Sequence, residues 1–225
     1  MARHIQIVLS KPATPAREAE YNDWYDRQHI PDLFTLPGFV SAQRYRIAEP
    51  FTGRIPWSYM VLYEMEAADL GEVLTELVNS HGDGRIAVSD VLDPETLTAL
   101  VFSPRTAFAG QPGHRRQLFA ALSKPAEGRE DDFNAWYDGQ HVPDVTSIPG
   151  IFGAERFALS MPFLDPLGGG QNYLALYDVD SDDLAVLASA VKAAARSGRT
   201  VMSDAIDLKA LTAFFLEPVG PLRLA

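Results

Sequence analysis

The sequence predicts an α+β fold made of two tandem βαββαβ modules, and three observations predict it. The chain repeats itself almost from end to end, each copy alternates strand-like and helix-like periodicities in one order, and the turn signals recur at matching places. Tyr21–Tyr45 overlays Phe133–Phe157 without a gap, with 12 of 25 positions identical, where average composition would give about one or two. Outside that window Leu9-Ser10-Lys11-Pro12-Ala13 returns as Leu122-Ser123-Lys124-Pro125-Ala126. Likewise Gly84-Arg85 returns as Gly198-Arg199, and Thr98-Ala99 as Thr212-Ala213. The second half is a whole copy of the first.

One copy reads as follows. Residues from about His4 to Ser10 alternate as a strand. A helix covers Ala16 to His29 and is expected to end there, because Pro31 disfavours helical geometry in the residue before it. Pro37-Gly38 marks a turn into a second strand, about 39–47. A third strand covers about 57–66, a helix capped by Asp69 or a neighbour runs to about Ser80, and a last strand covers about 96–102. The segment between Gly82 and Pro94 has no assignment. The expected division is residues 1–109, a linker at 110–115 and residues 116–225.

The βαββαβ order is that of a ferredoxin-like module. Both helices then lie on one face of a four-stranded sheet, and the other face needs a cover. The second sheet supplies it, which gives a barrel-like sandwich within one chain. Alternation is read here with the aliphatic rows, Ile5, Ile7, Leu9, Met60 and Leu62, on the helices. Tyr59, Val61, Tyr63, Tyr173, Tyr177 and Gln6 are then expected inside the barrel. Such an interior is either a ligand cavity with polar handles or a plain inter-sheet core.

Composition narrows the function. The formal net charge is −11 and the sequence pI about 4.8, which opposes binding to phosphate backbones and acidic membranes. There is no cysteine, so thiolate catalysis and Cys-ligated metals are excluded. The five histidines show no metal-ligand spacing, and no metal is expected. The N-terminus lacks a signal-like apolar stretch, no span suits a bilayer, and a cytoplasmic protein is the expectation.

The chemistry-bearing pattern is Trp24-Tyr25-x-x-Gln28-His29-x-Pro31-Asp32, repeated as Trp136-Tyr137-x-x-Gln140-His141-x-Pro143-Asp144. Tyr25 and His29 share a helix face. The helix C-terminus is expected to favour the imidazolium, and Asp32 or Asp144 to fix its tautomer. His29 and His141, with Asp32 and Asp144, are the candidate acid/base groups. Tyr25, Tyr137, Trp24, Trp136, Tyr59, Tyr63, Tyr173, Tyr177, Arg44 and Arg156 are the candidate ligand contacts. Each has a structural reading beside it: core anchors for the tryptophans, a helix-to-loop fastening for the histidines, salt bridges for the arginines. The halves differ at Arg27 against Gly139 and at His81 against Ala195, and His81 favours the first half as the active one.

The run W-Y-D-x-Q-H-x-P-D, then P-G, then A-x-R-[YF], resembles the EthD-like branch of the dimeric α/β barrel superfamily. The resemblance implies a cofactor-independent lyase, dehydratase or isomerase acting on an aromatic or polyketide-like molecule, with His29 and His141 facing the ligand. No cofactor is expected. A noncatalytic ligand-binding or structural protein, and a cofactor-free or haem-dependent monooxygenase, are the alternatives. The expected partner is a small molecule, with homodimerisation of the fused pair through leftover sheet edges.

Overall fold

The computed structural model describes residues 1–53, 55–110, 116–166 and 168–225; the expected linker therefore lies, but for Gly110, outside the described residues. Along the chain run β1 (Ala2–Ser10), α1 (Glu18–Trp24), α2 (Ile30–Leu33), β2 (Phe39–Thr52), β3 (Tyr59–Ala67), α3 (Leu70–Gly82), β4 (Thr98–Pro104) and β5 (Ala109–Gly110). Then follow β6 (Gln117–Ser123), α4 (Glu130–Trp136), α5 (Val142–Thr146), β7 (Ile151–Leu164), β8 (Tyr173–Val179), α6 (Leu184–Arg196) and β9 (Thr212–Leu224).

Eight strands pair antiparallel in the order β4-β1-β3-β2-β9-β6-β8-β7, and β7 pairs back onto β4 to close a barrel. Two seams join the halves: β2 with β9, and β4 with β7. Closure leaves no long free strand edge among the described residues, so the expected edge-to-edge homodimer loses its physical basis.

The two faces of the strands are the reverse of the sequence expectation. Ile5, Ile7, Leu9, Met60, Leu100, Phe102, Leu174, Leu176, Phe214 and Leu216 cluster together inside the barrel. Val8, Tyr59, Val61 and Tyr63 pack instead with Tyr21, Trp24 and Tyr25 of the helical layer, and Phe119, Tyr173 and Tyr177 do the same in the second half. An eight-stranded barrel is just wide enough for side chains to fill it, and these apolar groups fill it without needing hydrogen bonds. The hydroxyls of Tyr59, Tyr173 and Tyr177 find partners on the helices, in Glu18, Glu130 and Tyr137.

The helix does not end at His29. Between α1 and α2, Tyr25–His29 form one wide π turn, in which the Ile30 N–H reaches the Tyr25 carbonyl. Pro31, at the start of α2, has no N–H to give and would clash in a regular α-helix; the extra residue in the turn absorbs that mismatch. Tyr137–His141 repeat the device before Pro143. As expected, Asp69 caps α3, accepting from the Gly71 N–H at 2.7 Å. Gly38 turns the chain into β2 with φ +96°, and a Cβ there would lie 2.9 Å from a Val73 methyl, which explains the glycine.

Candidate active site

The tyrosines and arginines of the repeat build a fixed polar layer between helix and sheet. Arg44 is 2% exposed. It donates to the Asn22 side chain at 2.5 Å, pairs with Asp26 at 3.1 Å, and lies over the rings of Tyr21, Tyr25 and Tyr59. Arg156 is 1% exposed; it pairs with Asp138, donates to Asn134 at 2.9 Å and lies 4.1 Å from the Tyr137 ring centre. Neither lines a cavity described below, and both tie helix to sheet. Tyr59 donates to Glu18 at 2.5 Å and Tyr173 to Glu130. Ser10 bonds the hydroxyls of Tyr21 and Tyr25 at 2.8 and 3.3 Å.

A cavity of about 160 Å³ lies between this layer, α3 and the sheet, not inside the barrel. Val8, Leu33, Leu77, Leu92 and Ala99 make it apolar, Trp24, Tyr25 and Tyr63 give it aromatic walls, and Gln6, His29 and His81 are its polar groups. Val88, Phe163 and Leu164 also line it and are half-exposed or exposed. A shallower recess lined by Val78, His81, Met161, Pro162 and Phe163 adjoins it. A larger hollow of about 690 Å³ opens at one end of the barrel. Its Arg3 is already bound by Glu64 and Glu155 at 2.8 and 2.7 Å, and it contains no histidine.

The π turn positions His29. Residues five apart come round to one face in a wide turn, so Trp24 stacks on His29 with ring centres 4.5 Å apart and planes at 24°. Tyr25 meets the same imidazole edge-on at 5.2 Å. Burial, with the charge of His81 as a smaller cause, pushes the His29 pKa down to about 3. The expected imidazolium is therefore overturned: with the helix running on and no carboxylate against the ring, His29 is neutral. Its Nδ1 has no hydrogen-bond partner, and Asp32 bonds through its backbone only. An unpartnered buried N–H costs more than an unpartnered lone pair, so we assign the proton of His29 to Nε2.

His81, the feature that separated the two halves in the sequence, completes the site. Its Nδ1 lies 2.8 Å from the Leu77 carbonyl one turn earlier. A carbonyl only accepts, so Nδ1 carries a proton, and in the neutral ring Nε2 is the acceptor. The two imidazoles thus have opposite tautomers, one a donor and the other an acceptor. Gln6 is buried and lines the same space.

In the second half His141 lies tilted against Trp136, with ring centres 4.7 Å apart and planes at 34°, and burial lowers its pKa to about 4, with Asp144 opposing and Arg156 adding to the fall. Asp144 accepts from the Val201 N–H at 3.0 Å, and so satisfies a loop amide. Trp136 donates to the Val201 carbonyl at 2.9 Å. Among the described residues no three His, Asp or Glu side chains stand close enough to hold a metal ion, and no helix is long and apolar enough to cross a membrane.

Fold and cavity together define a closed eight-stranded α+β barrel, flanked by helices, with a space sized for a small molecule. No protein-family model matches the chain, and no curated protein matches it. Solved structures do. An anthrone oxidase-like protein is similar over 99% of this chain and 93% of its own, with TM-score 0.62 and 14% identity. A protein of Fusobacterium nucleatum subsp. nucleatum, provisionally described as a monooxygenase, is similar over 97% and 94%, with TM-score 0.57 and 10% identity. A third, provisionally described as a chlorite dismutase, is similar over 98% and 96%, with TM-score 0.55 and 14% identity. At such identities the likeness is one of fold.

Proposed function

We propose that the cavity beside His29 is the active site of a cofactor-independent enzyme that removes a proton from a small one-ring aromatic or enolisable substrate. The observation that carries this is the convergence of two histidines with opposite tautomers on one apolar space. His81 Nε2 takes the proton and becomes an imidazolium. The His29 Nε2–H donates to the oxygen on which negative charge develops, and the apolar surroundings disfavour the imidazolate that loss of that proton would leave. Gln6 offers a further hydrogen bond. Return of the proton to another atom completes an isomerisation, and loss of a leaving group completes an elimination. We read the scaffold as two ferredoxin-like modules fused in one chain, supported by the matching strand orders β4-β1-β3-β2 and β9-β6-β8-β7.

The volume sets the substrate class. A cavity of about 160 Å³ suits one ring, since about 150 Å³ accommodates benzene in an apolar interior. Multi-ring polyketides and the four-pyrrole haem macrocycle exceed it. The second reading is a cofactor-free monooxygenase in which the substrate anion reacts with dioxygen; the names of the anthrone oxidase-like and monooxygenase-like neighbours favour it.

Deuterium exchange into the methyl group of acetophenone, followed by mass spectrometry in D2O under nitrogen, tests the common first step. The protein is expected to accelerate exchange, and His81→Gln to lower that acceleration by about 10²–10⁴-fold, the usual contribution of a positioned base. Unchanged exchange in His81→Gln refutes the assignment. Oxygen uptake with hydroquinone in air distinguishes oxygenation from isomerisation.

A further inference from the structure

We infer that the chain has a single working site: the second half has filled its own copy of the cavity with side chains and lends its strand β7 as the outer wall of the first. This deepens the proton-transfer reading and rests on it.

Strand register makes the comparison direct. In the first half Gln6 lies between Tyr63 on β3 and Val101 on β4. In the second, Phe119 lies between Tyr177 on β8 and Phe215 on β9. Two phenylalanines thus stand where the first half has an amide and a valine. They are buried and stacked, ring centres 4.3 Å apart and planes at 16°. Phe119 also stacks on Tyr177 at 5.7 Å. Phe51, from β2 of the first half, meets Phe119 at 5.1 Å, and Lys192 lies over the Phe51 ring at 5.0 Å. The region is thus packed with aromatic rings from three strands of the second half's wall and one of the first.

The chemistry has gone with the space. Aligning α3 with α6 puts Ala195 at the position of His81, so His141 has no imidazole acceptor at that position.

The exchange between halves is reciprocal in form and unequal in effect. Phe51 plugs the second half, whereas Phe163 and Leu164, at the corresponding end of β7, border the open cavity. They reach it across the β4–β7 seam, where Leu164 pairs with Ala99. Phe163 therefore limits the length of substrate accepted beside His29.

Xenon enters apolar cavities, so crystals of the full chain pressurised with xenon report the space without a substrate. Xenon is expected beside His29 and absent beside His141; the double variant Phe119→Gln, Phe215→Val is expected to gain a second position near Tyr177. Xenon beside His141 in the unaltered protein, or a double variant with no new position, overturns the inference. For the wall, Phe163→Ala is expected to raise the rate of methyl exchange on 2-acetonaphthone relative to acetophenone by at least about tenfold, and an unchanged ratio overturns it. Failure of the proton-transfer reading looks different: xenon binds as expected while His81→Gln leaves exchange intact.

Discussion

Lowering the pH from 7 to 4.5 is expected to destabilise the fold largely through two histidines. His29 and His141 are neutral in the folded protein, with pKa values lowered to about 3 and about 4. In the unfolded chain each titrates near the ordinary value of about 6.5. Between those limits the unfolded state binds more protons, so stability is full above about 6.5 and falls as the pH drops towards the folded values. One pKa unit corresponds to about 1.4 kcal/mol, so at pH 4.5 each histidine removes on the order of 2.5 kcal/mol and the pair about 5. For a chain of this size that is a fall in Tm of roughly 10–20 °C. The assay is thermal unfolding at pH 7 and pH 4.5 of the unaltered protein and of His29→Gln/His141→Gln. Carboxylates contribute equally to both proteins, so the difference between the two falls isolates the histidines. If the double variant loses as much stability as the unaltered protein, the buried neutral imidazoles are refuted.

Two further outcomes follow from the polar layer. Asp138→Ala leaves the Arg156 guanidinium, 1% exposed, without its carboxylate; breaking such a pair costs about 3–5 kcal/mol, and since Asp138 itself is one-third exposed a loss of about 3 kcal/mol is expected, read as a Tm fall of roughly 6–12 °C. Tyr63→Phe is expected to be neutral or stabilising by up to about 1 kcal/mol, because the Tyr63 hydroxyl is buried without a partner, whereas Tyr59→Phe costs about 1 kcal/mol through the lost bond to Glu18; urea midpoints of the two variants check the contrast.

The α+β class, the order of elements and the Asp69 cap were legible because repeats, alternation and turn residues are local signals. Which face of each strand looks into the barrel was not. A period of two assigns residues to opposite faces without naming the face, and here both faces are buried, one by Ile5 and Met60 against the far sheet and one by Tyr59 and Tyr63 against helices. The helix end at Pro31 was misjudged for a related reason: the rule about proline holds for a regular α-helix, and a π turn escapes it. That turn changed the site, since it stacked His29 on Trp24 and removed the expected carboxylate partner. The Asp26–Arg44 tie joins residues 18 positions apart in sequence on different elements, so no spacing rule finds it. His81 was visible as a difference between the halves, but its role depends on the Leu77 carbonyl fixing its tautomer. The lining contribution of Phe163 comes from the other half of the chain, across the β4–β7 seam, and no reading of one copy contains it.

Closure of the barrel by strands of one polypeptide frees its two sides from each other's history. When a ring of strands is completed by two identical subunits, any substitution appears in both, and a change that helps one wall is forced on the other. Here Gln6 and Phe119 answer to separate codons, so a phenylalanine that would obstruct one side is free to brace the opposite one. The same continuity makes assembly independent of dilution, because the second sheet is always tethered within reach of the first.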